Sequence, residues 1–147
     1  MTDFVVEEER LIAASPERVY AAWTQPATFA AWFVPEALDA TKVILDAQIG
    51  GEFRVEMTGP EDRYVVYGAF TRIEANRRLE FTWQWEESSV EKGVSLVTVT
   101  LTPEASGTRL HLTHQQLANE VSQDRHRSGW STLLGRLESL LQNPKET

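Results

Sequence analysis

The chain has 147 residues, 41% hydrophobic and 24% charged, which suits one domain with a real core and excludes a disordered chain. Its formal net charge is −8 at pH 7, and its basic clusters are no longer than Arg77-Arg78 and Arg125-His126-Arg127. Nucleic acid, held through grouped Lys and Arg on phosphates, is therefore not an expected partner. With no cysteine, disulfides, thiolate catalysis and Cys-ligated metals are excluded.

Taken in order, residues 4–13 read as a strand with one charged face, Glu7 to Arg10. Ser15-Pro16-Glu17-Arg18 is a helix start: a serine to accept from first-turn amides, a proline preset for the first turn, and an acid that suits the dipole. Val19, Tyr20, Ala22 and Trp23 make that helix amphipathic, and Gln25-Pro26 ends it. A second short helix spans 27–33 and closes with Trp32-Phe33-Val34-Pro35.

The period then changes to two. Strands are expected over 41–46, 52–58, 63–74, 78–86, 95–102 and 108–116. Phe53, Val55 and Met57 share a face against Glu52, Arg54 and Glu56, an outward set that reads as cross-strand charge pairing. Gly68 interrupts its strand, as at a bulge or a close backbone approach. Leu79, Phe81, Trp83 and Trp85 alternate strictly with polar residues, as do Val97, Val99 and Leu101, and then Leu110, Leu112 and His114. Gly50-Gly51, Gly59-Pro60-Glu61-Asp62, Ala75-Asn76-Arg77 and Pro103 to Gly107 are turns, and 87–93 is a polar loop. Residues 117–127 carry no clear period.

From Ser128 to Gln142 the apolar positions are Trp130, Leu133, Leu134, Leu137, Leu140 and Leu141, one face of a long helix that Asn143-Pro144 stops. The order is β-α-α, six strands, then a helix: an α+β domain in which an antiparallel sheet keeps one face wet and lays the other on the helix.

This series resembles the activator-of-Hsp90-ATPase-homologue group of the START-like (SRPBCC), helix-grip superfamily. The residues that carry the resemblance come in the family's order over about residues 4–142: Ser15 to Thr24, Trp32 to Pro35, Ile49 to Arg54, Gly68-Ala69-Phe70 ahead of Ile73-Glu74, Arg78 to Trp83, Gly107 to His114, and Gly129-Trp130. The resemblance implies a curved antiparallel sheet wrapped around the C-terminal helix, β-α-α-β6-α, with an apolar cavity between them. Because one fold hosts many functions, it implies three roles. The first is binding of an apolar or amphipathic small molecule; the second is a chaperone partner like that of the Hsp90 co-chaperones; the third is a polyketide cyclase or aromatase activity.

The candidate cavity residues are Phe53, Val55, Met57, Phe81, Trp83 and Trp85 on the inward strand faces, Trp130 on the helix, and Trp32 and Phe33 at a mouth near the short helices. His114 ends an apolar row, where a polar group can orient a ligand or act as a base. Of the 3 histidines, His111 and His114 face opposite ways on one strand and cannot share an ion, so no metal is expected. No Gly-x-Ser-x-Gly occurs and no serine is visibly paired with a histidine, so no catalytic residue is assigned. No cofactor is expected. The acidic N-terminus, MTDFVVEEER, lacks a secretory pattern, and no apolar run reaches the roughly 18 residues of a membrane span. A cytoplasmic monomer or homodimer is the expectation.

Overall fold

Local chemistry sets each element before packing does. The computed structural model describes residues 4–35, 37–60, 62–86 and 93–142. In chain order these form β1 (Phe4–Ile12), α1 (Pro16–Thr24), α2 (Pro26–Phe33), β2 (Asp39–Leu45), β3 (Glu52–Thr58) and β4 (Arg63–Glu74). There follow β5 (Arg78–Trp85), β6 (Ser95–Glu104), β7 (Gly107–Leu117) and α3 (Glu120–Gln142). Helix α1 begins where the Ser15 hydroxyl accepts from the Arg18 amide at 3.2 Å. Gln25 sits in extended conformation between Thr24 and Pro26, closing α1 and opening α2. The polar loop expected over 87–93, the Asn143-Pro144 stop and Glu61 of the Gly59–Asp62 turn fall wholly or mostly outside the described residues.

The strands form one antiparallel sheet in the order β1-β7-β6-β5-β4-β3-β2. Alternation holds: Phe53, Val55 and Met57 on β3, Leu79, Phe81 and Trp83 on β5, and Leu110, Leu112 and His114 on β7 are all buried. The opposite face carries ion pairs. Arg54 bonds Glu56 and Glu86, each at 2.8 Å, and Arg63 bonds Glu56 at 3.0 Å. Gly68 is a close approach, since a Cβ there would overlap the Thr82 carbonyl oxygen on β5. Asn76 takes a left-handed turn (φ 64°) in the β4–β5 hairpin, a conformation its short amide side chain tolerates.

Near its end β7 departs from regular pairing with β1. Phe4 pairs Leu117 and Val6 pairs His114, so β7 carries an extra residue there, and Gln116 adopts φ 68°. Such a bulge bends a strand. Here it turns the chain toward Asn119, whose side-chain oxygen accepts from the Ser122 amide at 2.9 Å and caps α3.

Helix α3 therefore starts at Glu120 rather than at the expected Ser128. Its buried face is Ser122, His126, Trp130, Leu133, Leu134, Leu137 and Leu141. That face packs on β1, α1 and α2 as well as above the sheet interior. Between them lies a continuous aromatic core, with Trp23 and Trp32 edge to face at 4.7 Å and Phe29 stacked on Phe33 at 4.4 Å. Among the described residues no helix is long and apolar enough to cross a membrane, and no group of three or more His, Asp or Glu is placed to hold a metal.

Candidate functional site

Strand β5 and the first half of α3 meet at one end of the sheet, and their side chains do not fill the space between them. A partly open cleft of about 300 Å³ remains. Phe33 and Pro35 wall it at the end of α2, Met57 from β3, and Trp83 and Trp85 from β5. Helix α3 supplies His126, Trp130 and Leu133 at depth, with the exposed Arg125, Ser128, Gly129 and Thr132 nearer the rim. The cleft exists because α3 presents small residues there. A Cβ built on Gly129 would meet no atom within 4 Å.

The sequence candidates divide along the length of the strands. Phe33, Met57, Trp83, Trp85 and Trp130 line the cleft. Phe53, Val55 and Phe81 lie on the same inward face but are buried in the core and do not border it. Trp32, expected at the mouth, is fully buried instead, and its indole N–H donates to the Ala22 carbonyl at 2.9 Å. That bond ties α2 to α1 and turns the ring away from the rim.

His114 is fully buried behind the wall formed by Trp83 and Trp130. The Trp130 indole N–H donates to His114 Nδ1 at 3.0 Å, so the ring proton must sit on Nε2. Nε2–H then donates to Ser95 Oγ at 2.7 Å, and the Ser95 hydroxyl donates to the Trp83 carbonyl at 3.2 Å. One chain of hydrogen bonds thus runs from α3 through β7 and β6 to β5. Burial holds His114 well below the usual histidine range, and the neighbouring His126 ring, 4.8 Å away, pushes the same way.

The sequence shows no serine beside a histidine, whereas the structure pairs Ser95 with His114. The missed signal is simple, because Ser95 has the parity of Val97, Val99 and Leu101, the inward face of β6. The pair is nonetheless not a nucleophile and base. Nδ1 is already an acceptor and Nε2 carries the proton, so His114 has no free lone pair with which to take the serine proton.

A second histidine, which sequence reading left unassigned, stands beside the first. His126 Nε2 accepts from the Trp85 indole N–H at 3.1 Å, and its Nδ1 lies 2.8 Å from the Ser122 carbonyl, to which it donates. Its position four residues before Trp130 places it on the buried face of α3. The two indole–histidine bonds hold Trp85 and Trp130 as fixed walls. Trp83, between them, has a buried Nε1 with no hydrogen-bond partner among the described residues.

The family model described as activator of Hsp90 ATPase homolog 1-like protein matches residues 13–142 of this sequence. The chain belongs to that family. No curated protein matches it. Among solved structures, protein CV1439 from Chromobacterium violaceum superposes with a TM-score of 0.86 at 23% identity, over 95% of this chain and 98% of that one. The AHSA1 protein from Silicibacter pomeroyi gives 0.82 at 29% identity, over 94% and 97%. Protein Mll3558 from Rhizobium loti gives 0.79 at 27% identity, over 94% and 96%. The family and these superpositions establish the START-like helix-grip fold expected from the sequence, an antiparallel curved sheet around a long C-terminal helix.

Proposed function

We propose that this family member binds an apolar or amphipathic small molecule in the cleft between β5 and α3. The observation that carries the reading is the cleft itself: about 300 Å³ walled by Phe33, Met57, Trp83, Trp85, Trp130 and Leu133. That volume is at the small end of ligand pockets, which run from roughly 300 to 1,000 Å³. Two of its indoles are held by histidines, so the walls are set before a ligand arrives, which lowers the ordering cost of binding.

N-phenylnaphthylamine, an uncharged fluorescent probe, tests this. Bound in the cleft it lies against at least one of three indoles, so it quenches tryptophan emission saturably. At about 100 times its Kd it stabilises the fold by about 2.7 kcal/mol, visible as a higher Tm. No quenching and no rise in Tm up to the probe's solubility limit overturns the proposal.

The family's description favours a second reading, a chaperone partner. It is checked by mixing the chain with an Hsp90-type chaperone and measuring ATPase rate. A several-fold stimulation at equimolar protein, without probe binding, would put this reading first.

A further inference from the structure

The cleft is not uniformly apolar, and its asymmetry bears on what enters it. Among the described side chains that border it, Arg125 is the one with a permanent charge, and it stands at the rim on the first turns of α3. The chain as a whole carries −8, and most of its arginines are engaged. Arg10, Arg54, Arg63, Arg72, Arg109 and Arg127 pair with carboxylates, while Arg18 and Arg136 donate to backbone carbonyls. Arg125 forms no ion pair or hydrogen bond of this kind among the described residues. The Tyr64 hydroxyl nearby already donates to Asp62, at 3.2 Å.

At depth, the same cleft has Trp83, 4% exposed, whose indole N–H lacks an acceptor among the described residues. That nitrogen is itself buried, so it is the Trp83 ring and not its N–H that borders the open space. A guanidinium at the rim and apolar aromatic walls below it favour a molecule with an anionic head and an aromatic or aliphatic body. Arg125 projects into solvent, so it selects by charge without adding a desolvated cation to the core.

We infer that the ligand of this cleft is an anionic amphiphile, its carboxylate or other acidic head against Arg125 and its apolar body against Trp83, Trp85 and Trp130. This rests on the small-molecule reading above and narrows it to a chemical class.

Isothermal titration with three ligands sharing one naphthalene body tests it: naphthoate, naphthalenemethanol and naphthylmethylammonium. Naphthoate binds about three- to fivefold tighter than the alcohol, the size of a rim ion pair, and the ammonium ligand binds weakest. The naphthoate advantage shrinks as salt rises through the range where exposed charges are screened. In Arg125→Gln, which removes no ion pair or hydrogen bond among the described residues, the advantage disappears while the alcohol keeps its affinity within about twofold. Equal binding of naphthoate and the alcohol in the unaltered chain, or an advantage that survives Arg125→Gln, overturns the head-group inference and leaves the cleft reading intact. Failure of all three ligands to bind overturns both.

Discussion

Lowering the pH from 7.5 to 5.5 perturbs His114 more than any carboxylate the fold depends on. The ring is fully buried, and both its nitrogens are committed, one accepting from Trp130 and one donating to Ser95. Protonating Nδ1 would set N–H against N–H. The native state therefore keeps His114 neutral, while the unfolded chain protonates it near the ordinary value of 6.5. Below that value the unfolded state binds more protons than the native one, so stability falls as pH falls and is fully present above it. One proton taken up at a reference pKa of about 6.5 removes about 1.4 kcal/mol between pH 7.5 and 5.5. Glu56 and Glu104 are held below the usual carboxylate range by hydrogen bonds from Arg54 and Arg63, and from Arg109. Their contribution is present above about 4.5 and is lost at lower pH, outside this window. Urea melts across the window give the slope directly. His114→Gln keeps a donor and an acceptor but does not titrate, so its slope is flatter by about that amount. A slope that is flat in the unaltered chain, or unchanged in His114→Gln, refutes the buried neutral histidine.

Three further outcomes follow from packing. Leu137→Ala, on the buried face of α3, costs about 2–5 kcal/mol in a urea melt, whereas Glu138→Ala, which loses a surface pair with Arg10 at 3.1 Å, costs less than about 0.5. Gly135→Ala stabilises by about 0.5–1 kcal/mol, read as a Tm rise of a few degrees, because a helical glycine is replaced where a Cβ meets nothing within 4 Å. Gly68→Ala destabilises by about 1–3 kcal/mol in the same urea melt, since its Cβ must displace the Thr82 backbone on β5.

The fold was legible because period-two alternation is long and strict in β3, β5 and β7, and because Ser15-Pro16 and Gln25-Pro26 punctuate the short helices. The first turns of α3 were not. Its opening, EVSQDRHR, is polar, and hydropathy hides that Ser122 and His126 continue the i, i+4 face of Trp130. Asn119 followed by Glu120 was a usable signal there, a capping side chain with an acid in the first turn. The site was legible by face and not by depth. Alternation puts Phe81, Trp83 and Trp85 on one side of β5, yet it cannot say that Phe81 sits in the core while the other two border a cleft. That depends on where α3 crosses the sheet, a tertiary fact. Arg125, in the stretch without a clear period, read only as part of a short basic cluster, and Gly129, at the start of the expected helix, carried the family resemblance but no sign of a cleft.

Gly129→Leu tests the cleft as a binding site most directly. A leucine on a helix leans back over the preceding turn, here toward Arg125 and His126, across the open space beside Gly129. It also replaces a helical glycine with a strong helix former, so the variant melts no lower than the parent chain. Titrated with N-phenylnaphthylamine, it should lose tenfold or more in affinity at undiminished stability. Affinity unchanged in a variant that melts normally would contradict a ligand site between β5 and α3.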